Sequence, residues 1–175
     1  MKNIVATLSL LFATTLSAQV AIGKSSISSP AVSLEFYDGA DNARGIILPW
    51  VTSTAAVTGA VNGTLVYNTA DRKVYVKYAS GWRDLSVDNT GTVTTTLQDS
   101  LTDQDTAKVL IGGDPSTDTT PGILVLADTN KAMVLPKVAS PHLNIVNPSP
   151  GMIVYDTTKK QLAVFNGTVW SFWKP

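Results

Sequence analysis

Cysteine is missing from all 175 residues of the chain. That excludes a disulfide scaffold, thiol catalysis, a cysteine-bound zinc and a lipid-modified cysteine. Histidine occurs once, as His142, and glutamate once, as Glu35. One chain can therefore build neither a histidine-based triad nor a pair of histidine metal ligands. His142 follows Pro141 and reads as an ordinary exposed loop residue. Charge is scarce too: 15% of residues are charged, against about 25% in an average soluble domain. With 13 basic and 13 acidic side chains the net charge is zero. No broad basic surface is left for nucleic acid or anionic lipid. Paired carboxylates remain the acid–base option, but the aspartates gather in loops, and neither an enzyme nor a cofactor is expected.

What is present is threonine, serine and apolar residues: 22 Thr, 15 Ser and 44% hydrophobic. That balance suits a folded chain, and the Thr, Val and aromatic content favours strands over helices. The N-terminus has Lys2, an apolar run from Ile4 to Leu16, and Leu16-Ser17-Ala18 before Gln19. This is the pattern of a signal peptide over residues 1–18, too short for a span of about 20 residues. Export to the cell surface or medium is the expected location, with no helical membrane span after cleavage. A transmembrane β-barrel needs strands of about 9–11 alternating residues, and the strands here are shorter and interrupted by Gly, Pro and Asp.

An internal repeat organises the rest. Gly63–Trp82 (GTLVYNTADRKVYVKYASGW) aligns without a gap on Gly151–Trp170 (GMIVYDTTKKQLAVFNGTVW) at an offset of 88. Upstream, Leu48-Pro49 matches Leu135-Pro136 at offset 87, and Val20 with Ile22-Gly23 matches Val109 with Ile111-Gly112 at offset 89. The reading is two tandem copies of an all-β module, residues 19–85 and 108–175, with Gly63, Tyr67, Trp82, Gly151, Tyr155 and Trp170 as its anchors. Residues 86–107, rich in Thr, Asp and Ser, read as a linker or, alternatively, as carrying one strand through Val93–Leu97. Val32, Leu34 and Phe36 alternate with Ser33, Glu35 and Tyr37, predicting one inward and one outward face. Gly45–Pro49 reads as a short buried strand ended by proline, and Thr52–Ala60 as one or two helical turns. Hairpins are predicted for Leu65–Asn68 with Val74–Tyr78 and for Met152–Tyr155 with Leu162–Phe165. Asn166-Gly167 supplies the strongest turn signal of the chain. Modules of this size are marginal alone, so the copies are expected to pack on each other or several chains together.

The series Ile22-Gly23, Ala31–Glu35, Arg44–Pro49, Gly63–Thr69 and the terminal tryptophan resembles a repeat of secreted Bacteroidetes surface proteins. It is also similar to modules of bacteriophage tail-fibre type. The chain departs from that pattern at Trp50 and Lys137, where arginine often follows the proline, and at Tyr78-Ala79-Ser80 in place of Tyr-Asn-Gly. The resemblance implies an extracellular, fibrous or oligomeric role, with no reaction and no defined ligand.

Other constellations carry less. Asp99, Asp103, Asp105, Asp114 and Asp118 are oxygen donors, but neither loop has the alternation, central Gly and closing Glu of a calcium loop, and no metal site is assigned. Trp50 and Trp173 are unmatched between the copies, which makes them candidates for a ligand or partner face. Asp-Thr-small triplets mark Thr106 and Thr119 as candidate O-glycosylation sites. The expected function is a secreted, non-enzymatic structural or adhesive protein that assembles with itself. The alternative is a carbohydrate-binding module, with surface glycans or other extracellular proteins as further partners.

Overall fold

The computed structural model describes residues 19–102, 104 and 106–174. The expected signal peptide, Asp103 and Asp105 lie outside the described residues. The fold is all-β, and its elements recur in the same order in both repeats. The first carries β1 (Val20–Ile22), β2 (Val32–Phe36), β3 (Ile46–Ile47), β4 (Trp50–Val51), a 3-10 turn (Thr54–Ala56), β5 (Leu65–Asn68), β6 (Lys73–Tyr78) and β7 (Gly81–Asp84). The second carries β8 (Val109–Ile111), β9 (Leu124–Leu126), β10 (Ala132–Val134), β11 (Lys137–Val138), the single-turn helix α1 (Pro141–Asn144), β12 (Met152–Asp156), β13 (Gln161–Phe165) and β14 (Trp170–Trp173). His142 thus lies in α1 rather than in a loop; Pro141 opens that turn, since proline needs no N–H donor there.

Equivalent strands pair in equivalent registers. β5 meets β6 with Leu65 opposite Val76, and β12 meets β13 with Ile153 opposite Val164. Lys77 faces Trp82 and Phe165 faces Trp170. At the hairpin turns Arg72 and Lys160 both take the left-handed conformation, with φ of 62° and 55°. Asn68 and Asp156 each close the turn by accepting the N–H two residues on, from Ala70 at 3.0 Å and Thr158 at 2.9 Å. β4 and β11 lie parallel to β5 and β12, and the carbonyl of the proline just before each accepts from the Tyr67 and Tyr155 N–H at 2.9 Å.

The two hairpin sheets, four-stranded in the first repeat and five-stranded in the second, face one another. Tyr67, Val74, Leu48 and Leu85 of the first repeat share one core with Ile153 and Val164 of the second. The opposite face of the second sheet carries Val138, Ile145, Met152, Val154, Ala163 and Phe165, against which Trp170 packs. The repeats also exchange strands: β3 adds antiparallel to β12, with Ile47 opposite Met152, while β10 adds parallel to β2.

Two expectations are corrected by the structure. β2 does not have one inward and one outward face; Ser33 and Glu35 are as buried as Val32 and Leu34. β2 is the central strand of its sheet, between β1 and β10, and its second face is closed over by side chains and loop: Ser33 donates to Asp128 at 3.1 Å, and Glu35 meets Lys24 and the Ser28 N–H. The Gly45–Pro49 run is not uniformly buried. Leu48 reaches the core and Ile46 packs against it, but Ile47, on the opposite face of the run, is 50% exposed. Residues 86–102 and 106–107 contain no strand among the described residues. Their first part, Ser86–Val93, lies against the second hairpin: Thr168 donates to the Thr90 carbonyl at 3.0 Å and Asn166 to the Asp88 carbonyl at 3.2 Å.

Candidate self-association interface

The seam between the repeats is built from aromatic side chains whose polar ends find backbone partners across it. Tyr67 is fully buried and donates its hydroxyl to the Asn166 carbonyl at 2.7 Å. Burial pushes its phenol up to about 12. Trp50 leans on Tyr67 with ring centres 6.1 Å apart and donates its indole N–H to the Pro150 carbonyl at 2.9 Å. Trp173 donates to the Leu85 carbonyl at 2.5 Å and carries the Arg83 guanidinium 5.5 Å above its ring. The two tryptophans singled out as unmatched between the copies are therefore half-buried and committed to contacts between repeats. Ser171 adds a short bond to the Ser86 carbonyl.

The repeat anchors occupy equivalent backbone sites in unequal surroundings. Gly63 and Gly151 both have positive φ, 91° and 79°, and donate to Lys77 and Phe165 at 2.8 and 2.9 Å. A Cβ at Gly151 would stand 2.7 Å from the Tyr67 Cβ, whereas one at Gly63 would meet nothing within 4 Å. Tyr67 is buried and Tyr155 half-buried; Trp170 packs on Phe165 at 5.2 Å, and Trp82 is half-buried. Thr106 and Thr119 are exposed.

Charge bridges the repeats at one place that composition could not reveal. Glu35 is fully buried, accepts from the Ser28 N–H at 2.7 Å and pairs with Lys24 at 2.9 Å. The Ser28 N–H, opposed by burial and helped by Lys24, holds its carboxyl below the usual range. Asp38 then joins Lys24 at 3.1 Å to Lys137 of the second repeat at 3.3 Å. Hydrogen bonds from both lysines hold the Asp38 carboxyl low. Asp118, one of the loop carboxylates, pairs with Lys108 at 2.9 Å, and that lysine lowers its pKa. Asp114 accepts from the Ser116 hydroxyl and N–H within its own turn.

Residues 114–174 match the family model described as a phage tail like trimerisation region. The match covers most of the second repeat, so the chain is similar there to modules of phage tail-fibre type. No curated protein and no solved structure matches the chain. The matched segment holds β9 to β14, among them β12, which receives a strand from outside its own repeat. The chemistry of this site is strand addition and apolar packing; among the described residues no group of three or more His, Cys, Asp or Glu converges to hold a metal ion.

Proposed function

We propose that this protein is an exported structural subunit, without catalytic activity, that assembles with itself into a fibre-like oligomer at the cell surface, where it serves adhesion or scaffolding. The match of residues 114–174 to a trimerisation region carries the reading. Two features support it: strands offered across a repeat boundary, and a net charge of zero that opposes association little. Secretion rests on residues 1–18, and the Bacteroidetes surface-protein assignment on the motif series from Ile22-Gly23 to Trp170. Light scattering of the purified protein over a concentration range should give three times the chain mass; a monomer at every concentration would remove the reading. N-terminal sequencing of material from the cell surface should begin at Gln19. The carbohydrate-binding alternative gains no comparable support, because the indole N–H groups of Trp50 and Trp173 are used within the chain.

A further inference from the structure

The two repeats have the same elements, yet two pairings present in one are missing from the other. β12 carries two strands along one edge, β11 beside Tyr155 and Asp156 and β3 beside Met152 and Ile153. β5 carries β4 beside Tyr67 and Asn68, and nothing beside Thr64 and Leu65. Gly151, Met152 and Ile153 are buried in consequence, while Gly63 is exposed and Thr64 and Leu65 are half-buried. The second gap has the same form. β2 is held between β1 and β10, whereas its counterpart β9 pairs with β8 alone. Leu34 is 1% exposed; Leu124, which stands opposite Val109 as Leu34 stands opposite Val20, is 47% exposed.

The strands that would fill these gaps each have a free edge. β3 pairs with β12 alone and β10 with β2 alone. Within one chain β3 serves the hairpin of the following repeat and β10 serves the β2 strand of the preceding one. Carrying both rules one step on sends β10 to the β5 edge of a neighbouring chain and that neighbour's β3 to this chain's β9. Both missing pairings then fall at one contact, between the second repeat of one copy and the first of the next.

We propose that copies of this chain join head to tail through that contact, which reproduces between chains the seam that joins the repeats within a chain. The inference rests on the self-association reading and names its surface. The occupant is a second copy, because the covered counterpart of each open edge is covered by a strand of this same sequence. The added strand would also continue a ladder that β4 has already begun on β5. Register follows from the occupied pairings: Val134 opposite Thr64 and Met133 opposite Leu65, antiparallel, and Ile46 opposite Leu124 and Ile47 opposite Val125, parallel. The open space at Gly63 would receive Tyr155 of the preceding copy, whose β10 lies on that edge, as Gly151 receives Tyr67. A head-to-tail contact closes into a ring or runs on as a filament, and the trimerisation match favours closure at three copies and six repeats.

The absence of cysteine gives the test a silent background. Directly opposed residues on antiparallel strands have Cα atoms about 4.5–5.5 Å apart, and paired strands of either sense lie about 4.7–4.9 Å apart, within the span of a disulfide. The double variant Thr64→Cys/Val134→Cys, oxidised where the wild type is assembled, should give covalent dimers and trimers on a non-reducing gel, and neither single variant should. Ile46→Cys/Leu124→Cys tests the second gap independently. Intermolecular crosslinks in either pair support the proposal. Monomer bands from both pairs, with light scattering still showing an oligomer, would overturn the placement and leave self-association standing. A wild type that is monomeric at all concentrations would remove both.

Discussion

Replacing Tyr67 with phenylalanine isolates what its hydroxyl does in the seam. The ring stays against Trp50, and only the bond to the Asn166 carbonyl is lost. Asn166 is fully buried and this carbonyl has no other donor among the described residues, so the change leaves a buried acceptor unpaired, a cost of about 1–3 kcal/mol. For a chain of this length each kcal/mol lowers the thermal midpoint by roughly 2–4 °C. The same hydroxyl has an alkaline signature. Its folded pKa of about 12 lies above the ordinary tyrosine value of about 10. Its contribution is therefore complete below pH 10 and is lost as pH rises towards 12, because the unfolded chain ionises first. Tyr75, pushed up by burial and by the Asp71 carboxylate, destabilises the fold over a similar range in both proteins, so the difference between wild type and Tyr67→Phe isolates Tyr67. Urea unfolding from pH 7 to pH 12 should show the variant less stable at pH 7 and the gap closing above pH 10. Equal stability at pH 7 with parallel curves above it would refute the assignment of this bond to the seam.

The paired glycines make a second comparison. Gly151→Ala meets both left-handed strain and the Tyr67 Cβ, together about 2–5 kcal/mol, and should unfold at lower urea than Gly63→Ala, which meets strain alone within the chain; equal midpoints would contradict it. Asp156 is fully buried, a state that opposes its charge, yet the N–H groups of Lys159, Ser140 and Thr158 prevail and hold its carboxyl low. The stability it provides is present above the unfolded pKa of about 4 and is lost as pH falls through the lower folded value. Asp156→Asn should cost about 1–3 kcal/mol at pH 7 and flatten the fall in stability below pH 4, measured by the same urea titration.

What the chain order determines locally was legible before the structure. The Gly-Val-Tyr-Thr-Val-Trp series at offset 88 marks β5 to β7 and β12 to β14, and these hairpins share one register because turn residues and alternating side chains lie within twenty positions of each other. Partners brought from far away were not legible. Ser33 looks like part of an outward face, and nothing local tells that its hydroxyl donates to Asp128, ninety-five positions on. Trp50 and Trp173 stood out as unmatched, and nothing local tells that Trp50 meets the carbonyl of Pro150 or that Trp173 meets that of Leu85. The Lys24–Glu35–Asp38–Lys137 chain was silent for the same reason, since each member is unremarkable beside its own neighbours.

The strand exchange also fixes when folding can finish. β3 must wait for β12 and β2 for β10, separations near one hundred residues that make loop closure a large share of the barrier. The early half of the chain cannot complete its core until Ile153 and Val164 are available, because Leu48, Tyr67, Val74 and Leu85 share that core with them. A chain emerging N-terminus first therefore stays open through most of its synthesis and closes late, in a slow and nearly concerted step. That delay leaves Ile46 and Ile47 without their strand partner for as long as the wait lasts.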